Sequence, residues 1–312
     1  MAIVKPGSLF SLQGDYPYQM KNQPKYRWWK PICAGLLTLV LVVVFDLLSY
    51  AVIYFMTGGD PQVSAALNPS TNGSYTSGDP TSPVAMLMNF IPIALIIPSV
   101  GISSRVFGLG GLKTLSSVEG GLRWKRFLSY VPLTLGVALL FNLVTFAFNA
   151  LQGASWGDAT FAPLTLILII ILCPLQCAGE EYLYRGFVFQ TFASWIPIVV
   201  IPFIIQMVLF VIGHRYNIIG LMAVGFTGLC TAWLTVKTGG LEAAITLHSI
   251  NNVISFMTSA LFVSQTVMSD TTIDGLIVDV VYAFILTIVL YQIAKRKGYI
   301  ETQRTVTQPA EA

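Results

Sequence analysis

The sequence predicts an all-α protein that crosses a membrane about eight times, and its composition is the first reason. The chain has 312 residues, of which 55% are hydrophobic and only 10% are charged. A typical soluble domain is about 25% charged. With a mean hydropathy of +0.73, the chain differs from an ordinary soluble enzyme, from a disordered chain and from a basic nucleic-acid-binding domain, so no nucleic-acid partner is expected.

Eight apolar runs are the second reason. A helix needs about 20 mostly apolar residues to cross a bilayer, and such runs lie at 32–56, 84–103, 127–150, 161–180, 196–213, 218–236, 241–262 and 275–294. They divide the chain into an N-terminal segment (1–31), a transmembrane domain (32–294) and a tail (295–312). The N-terminal segment has no apolar stretch ending in a cleavage site, so we expect the first run to remain in the mature protein.

The basic residues predict how the chain lies in the membrane. If the N-terminus is cytoplasmic and all eight runs cross, sixteen of the seventeen Lys and Arg residues fall on the cytoplasmic side, with Arg215 as the exception. This distribution follows the positive-inside rule. We therefore expect a multi-pass protein of the cell membrane with both termini in the cytoplasm.

Ionisable residues inside apolar runs are functional candidates, because placing one at a bilayer centre costs about 2.5–3.5 kcal/mol on insertion scales. The chain concentrates such groups, and both of its histidines, near the ends of three runs: Glu180, Glu181 and Arg185 in the fourth, His214 in the fifth, and Glu242, His248 and Asn252 in the seventh. Asp46 and Asp279 each stand alone in another run.

Helical spacing separates these groups by role. Glu181 and Arg185 are four residues apart and can form an ion pair on one face, whereas Glu180 points about 100° away and stays available. His248 and Asn252 share a helix face in the same way. Phe210 lies one turn before His214.

Together these side chains suit the attack of an activated water on a carbonyl. Glu180 is a candidate general base, and a neutral His214 can help to orient and deprotonate the water. An N–H of His248 and the amide of Asn252 would stabilise the oxyanion. No Ser, Cys or Thr is evidently paired with a base, so a covalent nucleophile is not favoured.

The three motifs resemble those of the CAAX protease and bacteriocin-processing family of intramembrane proteases, also called the CPBP or Abi family. The family signatures EExxxR, FxxxH and HxxxN occur here at 180–185, 210–214 and 248–252, in the family's order. Each motif is short, and their combination on a polytopic chain makes the resemblance specific. It covers residues 161–262.

The resemblance implies an eight-helix fold with a polar cavity that opens to the cytosol, and a glutamate-dependent endopeptidase without a cofactor. Its substrate would be a peptide or a membrane protein. If the roles of the family's motif residues apply at the matching positions here, Glu180 and His214 would activate the water, and His248 and Asn252 would form the oxyanion hole. The remaining motif residues would support them: Glu181, Arg185 and Phe210.

One feature of the predicted topology conflicts with this site. If every run crosses fully, Glu180 and His248 lie toward the cytoplasmic side, whereas His214 ends the fifth run on the far side. We therefore expect the fourth helix to continue past Glu181 toward Gln190. We also expect the turn between the fifth and sixth runs to stop inside the membrane and to line the cavity.

Two alternatives remain open at this point. Glu180, His214 and His248 could be three ligands of a catalytic Zn²⁺ with water as the fourth, although Asn252 would then have no role. The protein could also be non-proteolytic: a membrane scaffold or bacteriocin-immunity protein, or a transporter in which intramembrane acids and histidines relay protons.

Overall fold

The computed structural model describes residues 14–66, 81–153, 162–261 and 271–301, and regular structure in these ranges is helical, with no strand. The outer parts of the predicted terminal segments, 1–13 and 302–312, lie outside the described residues. In chain order the α-helices are α1 (Lys30–Met56), α2 (Pro61–Ala66), α3 (Pro83–Ala94), α4 (Ile96–Val106), α5 (Leu112–Ser116), α6 (Trp124–Leu151), α7 (Pro163–Glu181), α8 (Phe189–Trp195), α9 (Val200–Ile212), α10 (Ile218–Thr238), α11 (Glu242–Leu261) and α12 (Ile273–Arg296).

Each of the eight predicted runs contains helix, and the prediction of an all-α membrane protein is confirmed. Six helices in the described part of the chain are long and apolar enough to cross a membrane: Lys30–Met56, Pro83–Val106, Trp124–Leu151, Pro163–Trp195, Ile218–Thr238 and Ile273–Arg296. They indicate a multi-pass membrane protein. The other two segments are α9, which is short, and α11, which carries His248 and two asparagines.

The helices differ in how deeply they lie in the bundle. Only 11% of the apolar stretch of α6 and 17% of that of α1 are buried, against 44% for α3–α4 and for α10. The uncovered side chains are large and apolar, such as Leu47 and Leu143, as expected for a surface in contact with lipid. α1 and α6 are therefore peripheral, and α10 is central.

Both described termini meet at one end of the bundle, which we call the terminal end. The Tyr16 hydroxyl donates a hydrogen bond to the Leu115 carbonyl at 2.6 Å, and the amide of Glu301 donates to the Lys237 carbonyl at 2.8 Å. The Trp195 indole donates to the Trp28 carbonyl at 2.8 Å. The N-terminal segment, the α5 region, the ends of α8 and α10, and the segment after α12 thus lie together.

The opposite end contains the starts of α3, α7, α10 and α12. There the Thr165 hydroxyl donates to the Thr81 carbonyl, and the Asn217 amide donates to the Thr271 carbonyl at 3.0 Å. Arg215 lies beside this second contact in the chain. The segments predicted to be cytoplasmic are therefore collected at the terminal end, with one correction: Arg185, counted among them, is fully buried within the bundle.

The fourth run forms one continuous helix far beyond Glu181, as expected. α7 passes through a π-helical stretch, Tyr182–Val188, directly into α8, which ends at Trp195. Such stretches are rare and occur frequently at functional sites. Just before the two glutamates, a Cβ on Gly179 would collide with the Ile93 carbonyl, so glycine allows α7 to lie directly against α3.

The fifth run forms a helix that is too short to cross the membrane. α9 has 13 residues, which is about 20 Å at 1.5 Å per residue, whereas a hydrocarbon core is about 30 Å thick. It starts next to the terminal end, where the Tyr18 hydroxyl donates to the Pro197 carbonyl. Residues 213–217, which contain His214, then join its inner end to the start of α10.

Candidate active site

His248 on α11 lies between the two adjacent glutamates of α7. Its Nδ1 is 2.8 Å from Oε1 of Glu181, and its Nε2 is 3.4 Å from Oε2 of Glu180. The first contact is a hydrogen bond, and the second has the distance of an ion pair without hydrogen-bond geometry. Sequence reasoning missed the contact between His248 and Glu181, because the two residues are 67 positions apart and only the packing of α7 on α11 joins them.

The predicted pair between Glu181 and Arg185 is present inside the bundle. Nη1 of Arg185 lies 3.3 Å from Oε1 of Glu181, and both side chains are fully buried. Nη2 of Arg185 donates to the Gly228 carbonyl at 3.1 Å. A side chain at position 228 would crowd both this guanidinium and Phe210, so glycine on α10 makes room for a buried arginine.

Phe210 is a central packing residue of the site. Its side chain is 3% exposed, and the guanidinium carbon of Arg185 lies 4.1 Å from its ring centroid. The rings of His214 and His248 lie 4.7 and 5.9 Å from it, both edge to face. Phe210 therefore separates the buried arginine from the two histidines and fixes where both imidazoles lie.

The orientation of His214 is set by a backbone carbonyl. Its Nδ1 lies 2.8 Å from the carbonyl oxygen of Phe210. Because a carbonyl oxygen only accepts hydrogen bonds, Nδ1 carries the proton in this contact. In the neutral imidazole, Nε2 then bears the lone pair and can accept a proton from water.

The amide of Asn252 is oriented by its neighbour. Nδ2 of Asn251 donates to Oδ1 of Asn252 at 3.0 Å. This contact uses the oxygen of Asn252 and leaves its Nδ2 hydrogens to point elsewhere. The carboxamide can therefore act as a donor, which is the function an oxyanion site requires.

A cavity of about 150 Å³ joins these groups, and it is large enough for several waters at about 30 Å³ each. Its wall contains His214, His248, Asn252 and Phe210. Glu180 is not one of the lining residues and reaches the cavity through its contact with His248. Three of the four residues predicted to be catalytic thus meet at one cavity, and the fourth touches one of them.

The cavity lies in the half of the bundle that is farther from the termini. Its remaining wall comes from the first half of α10 (Gly220 to Thr227), from Asn251 and Ser255 on α11, and from Tyr216, Thr271 and Asp279. The starts of α10 and α12 belong to the opposite end. Cytoplasmic termini and a cavity that opens to the cytosol were both predicted, and both stay predictions.

Several buried polar atoms of the site make no hydrogen bond within the described part of the protein. They are Glu180 Oε2, Glu181 Oε2, Arg185 Nε and Arg185 Nη1. An unsatisfied buried polar group costs about 1–3 kcal/mol. The unused oxygens of Glu180 and Glu181, both of which contact His248 through their other atoms or by ion-pair distance, can therefore accept hydrogen bonds from water.

Two acids are placed differently from what their sequence context suggested. Glu242, grouped with the site by its run, lies at the terminal end, where Arg123 Nε and Nη2 donate to its two oxygens at 2.9 and 2.6 Å. Asp279, which stood alone in its run, lines the cavity. The available signal for Asp279 was its intramembrane position, because an acid within an apolar helix usually faces a cavity or a partner.

A metal centre was the alternative for the same residues. Among the residues that the structure describes, no three His, Cys, Asp or Glu side chains are arranged to hold a metal ion, and Glu180, His214 and His248 do not form such a set. The zinc hypothesis stays a prediction.

Fold and site together define a helical membrane protein with an acid–base cluster inside its bundle. Residues 162–254, which contain all three motifs, match the family model described as type II CAAX prenyl endopeptidase Rce1-like. This match supports the family predicted from the motifs.

The chain is also similar to the uncharacterized protein YyaK of Bacillus subtilis (strain 168). The two are 23% identical over 236 residues, which cover 72% of this chain and 75% of YyaK. No solved structure matches the chain.

Proposed function

We propose that this protein is an intramembrane endopeptidase of the CAAX prenyl protease type, which hydrolyses peptide bonds with an activated water and no cofactor. The observation that carries the proposal is the meeting of three motifs at one site. His214, His248 and Asn252 line a single cavity, and Glu180 contacts His248. A carboxylate, two imidazoles and a carboxamide are the groups needed to activate water and to stabilise an oxyanion.

In this mechanism Glu180 and His214 activate the water. Since Nδ1 of His214 is held by the Phe210 carbonyl, Nε2 is the atom that accepts a hydrogen bond from the water. The Glu180 carboxylate takes up the proton and later delivers it to the leaving amine. The water adds to the peptide carbonyl, and cleavage of the C–N bond releases an acid and an amine.

His248 and Asn252 stabilise the oxyanion that forms after the attack. Nδ1 of His248 is already engaged by Glu181, so Nε2 can donate to the oxyanion only when both ring nitrogens carry a proton. The neighbouring carboxylates then balance the positive charge of the imidazolium. Glu181, held in turn by Arg185, acts as a positioning residue for His248.

The membrane arrangement completes the proposal. All eight helical segments enter or cross the bilayer, and both termini are cytoplasmic, since the terminal end holds nearly all basic residues of the described chain. The substrate is a peptide or a membrane protein that reaches the cavity within the bilayer.

Comparative peptidomics of membranes tests the activity. Cells that express the wild-type chain should contain cleavage products that are absent with Glu180→Gln. A matched control is Asp46→Asn, which neutralises another intramembrane acid on α1, away from the cavity, and should leave the products unchanged. Identical peptide sets for wild type and Glu180→Gln would contradict proteolysis and favour a scaffold or bacteriocin-immunity protein.

A further inference from the structure

Asp279 is an acid in the cavity wall to which the proposed mechanism gives no part. It is the seventh residue of α12 and lies between two valines in an apolar stretch. It lines the same cavity as His214, His248 and Asn252. Because a carboxylate at membrane depth is costly, such a group usually faces a cavity or a partner and marks a functional site.

The face of α12 that carries Asp279 is turned toward the interior of the bundle. Tyr282 and Leu286 follow it at intervals of three and four residues and therefore share its face. Both side chains are buried, and the Tyr282 ring packs against that of Phe141 on α6 with 5.0 Å between the centroids. The outer positions of the helix, such as Ile277, are apolar and exposed. Packing thus fixes α12 so that the carboxylate is presented to the cavity.

Asp279 has no positive partner among the residues that the structure describes. It takes part in none of their ion pairs, and no Lys or Arg of the described chain lines the cavity. The internal segments outside the described residues, 67–80, 154–161 and 262–270, contain no Lys or Arg either. The carboxylate can therefore pair with a positive charge that a ligand brings.

The neighbouring groups in the wall suit a ligand that donates hydrogen bonds. Asn251, Ser255 and Thr227 also line the cavity. Nδ2 of Asn251 donates to Asn252, which leaves the side-chain oxygen of Asn251 as an acceptor. Ammonium and guanidinium groups carry only donors, so a carboxylate together with neutral oxygen atoms is the set of partners that they require.

We propose that Asp279 forms a substrate subsite for a cationic group, an alkylammonium or guanidinium, in the cavity where the peptide bond is cleaved. The inference rests on the proposed function and names its substrate class, which is a peptide or membrane protein with a positive charge near the scissile bond. This charge comes from a Lys or Arg side chain or from a free N-terminal amine. Asp279 selects the substrate by charge complementarity and takes no part in the chemical step.

Equilibrium binding to a variant that does not cleave tests the subsite without reference to activity. Purified Glu180→Gln protein in nanodiscs is titrated with fluorescent apolar peptides of one length: a capped peptide with a central Lys, its capped norleucine analogue, and the norleucine analogue with a free N-terminus. A charged peptide should bind about 10–100-fold more tightly than the capped norleucine analogue, as expected for a hydrogen bond to a charged group.

Adding Asp279→Asn should abolish this preference, because it removes the charge and keeps the size of the side chain. The matched control is Asp274→Asn, which neutralises an acid in the first turn of the same helix that does not line the cavity and should leave the preference unchanged. The charged peptide that binds more tightly identifies the source of the cation.

Equal affinity for all peptides, including no measurable binding of any, would overturn the inference, and so would a preference that survives Asp279→Asn. Because binding is measured without cleavage, these outcomes do not depend on whether Glu180→Gln changes the peptide set in cells. A cleaving enzyme without cation preference and a cation-binding protein without cleavage are therefore distinguishable.

Discussion

Two buried clusters of charge, both of which include a residue of α11, differ in how completely their polar atoms are satisfied. At the terminal end, Arg123 and Glu242 form a bidentate ion pair, and the backbone amide of Arg123 also donates a hydrogen bond to Glu242 at 2.8 Å. Within the bundle, Glu181 holds Arg185 and His248 through a single oxygen. Four atoms of Glu180, Glu181 and Arg185 make no hydrogen bond within the described residues, whereas no side-chain atom of Arg123 or Glu242 is left in this state.

This difference separates a structural charge pair from a reactive one. A buried pair stabilises a fold only when further hydrogen bonds satisfy the remaining donors and acceptors, and the pair at the terminal end meets this condition. The cluster around His248 keeps unused hydrogen-bonding capacity, and its free carboxylate oxygens can accept hydrogen bonds from a water during a reaction. Both clusters contain Glu and Arg, so residue type alone does not distinguish them.

The largest expected effect comes from removing one carboxylate in each cluster. Glu180→Gln should lower the cleavage rate about 10²–10⁴-fold, the usual contribution of a general base, and leave the thermal midpoint unchanged. Glu242→Gln should lower the thermal midpoint and keep the cleavage rate per folded molecule within a few-fold of wild type. The measurements are cleavage by purified protein, normalised to folded protein, and thermal unfolding. Parallel losses of rate and stability in both variants would show that the clusters do not differ in role.

Next in size is the loss of the guanidinium at the terminal end. Arg123→Met should destabilise the fold by about 3–5 kcal/mol, because it leaves the buried carboxylate of Glu242 unpaired. Combining it with Glu242→Met should restore much of that stability, which denaturant unfolding of the single and double variants would measure. A double variant no more stable than Arg123→Met would contradict the view that the unpaired carboxylate is the cause.

A somewhat smaller effect is expected at the oxyanion site. Asn252→Ala should lower kcat about 10²–10³-fold with little change in KM, because the lost donor acts on charge that develops in the transition state. The control is Ser249→Ala on the same helix, whose hydroxyl is buried and makes no hydrogen bond within the described residues. It should keep kcat near wild type. A rise in KM at constant kcat for Asn252→Ala would instead assign this amide to substrate binding.

The smallest effect is expected at Glu119, an exposed residue beside the Arg123–Glu242 pair at the terminal end. Glu119 contacts both Arg123 and Arg126, but its side chain is 43% exposed. Exposed ion pairs contribute about 0–1 kcal/mol, so Glu119→Gln should barely change the unfolding free energy. A loss as large as that of Arg123→Met would mean that the outer carboxylate, and not Glu242, holds this arginine.

Local features of the site were predictable from the sequence, and contacts between helices were not. The pair of Glu181 with Arg185 follows from helical spacing, and the continuation of α7 followed from the requirement that His214 come near the other motifs. The hydrogen bond between Glu181 and His248 could not be predicted, since it depends on the packing of α7 against α11. The burial of Arg185, which was counted as cytoplasmic, depends on the space that Gly228 leaves on α10.

The sequence by itself determined that the protein is helical, that it lies in a membrane and which three motifs carry its polar groups. Hydropathy, helical period and motif spacing are properties of single segments, so no packing information is needed to read them. The tertiary structure decided which charges satisfy one another, that Asp279 lines the cavity while Glu242 does not, and in which half of the bundle the cavity lies. These outcomes depend on the approach of α7, α9, α10 and α11, which is set by side-chain volume and by glycines at close contacts, and the sequence pattern of one helix does not contain them.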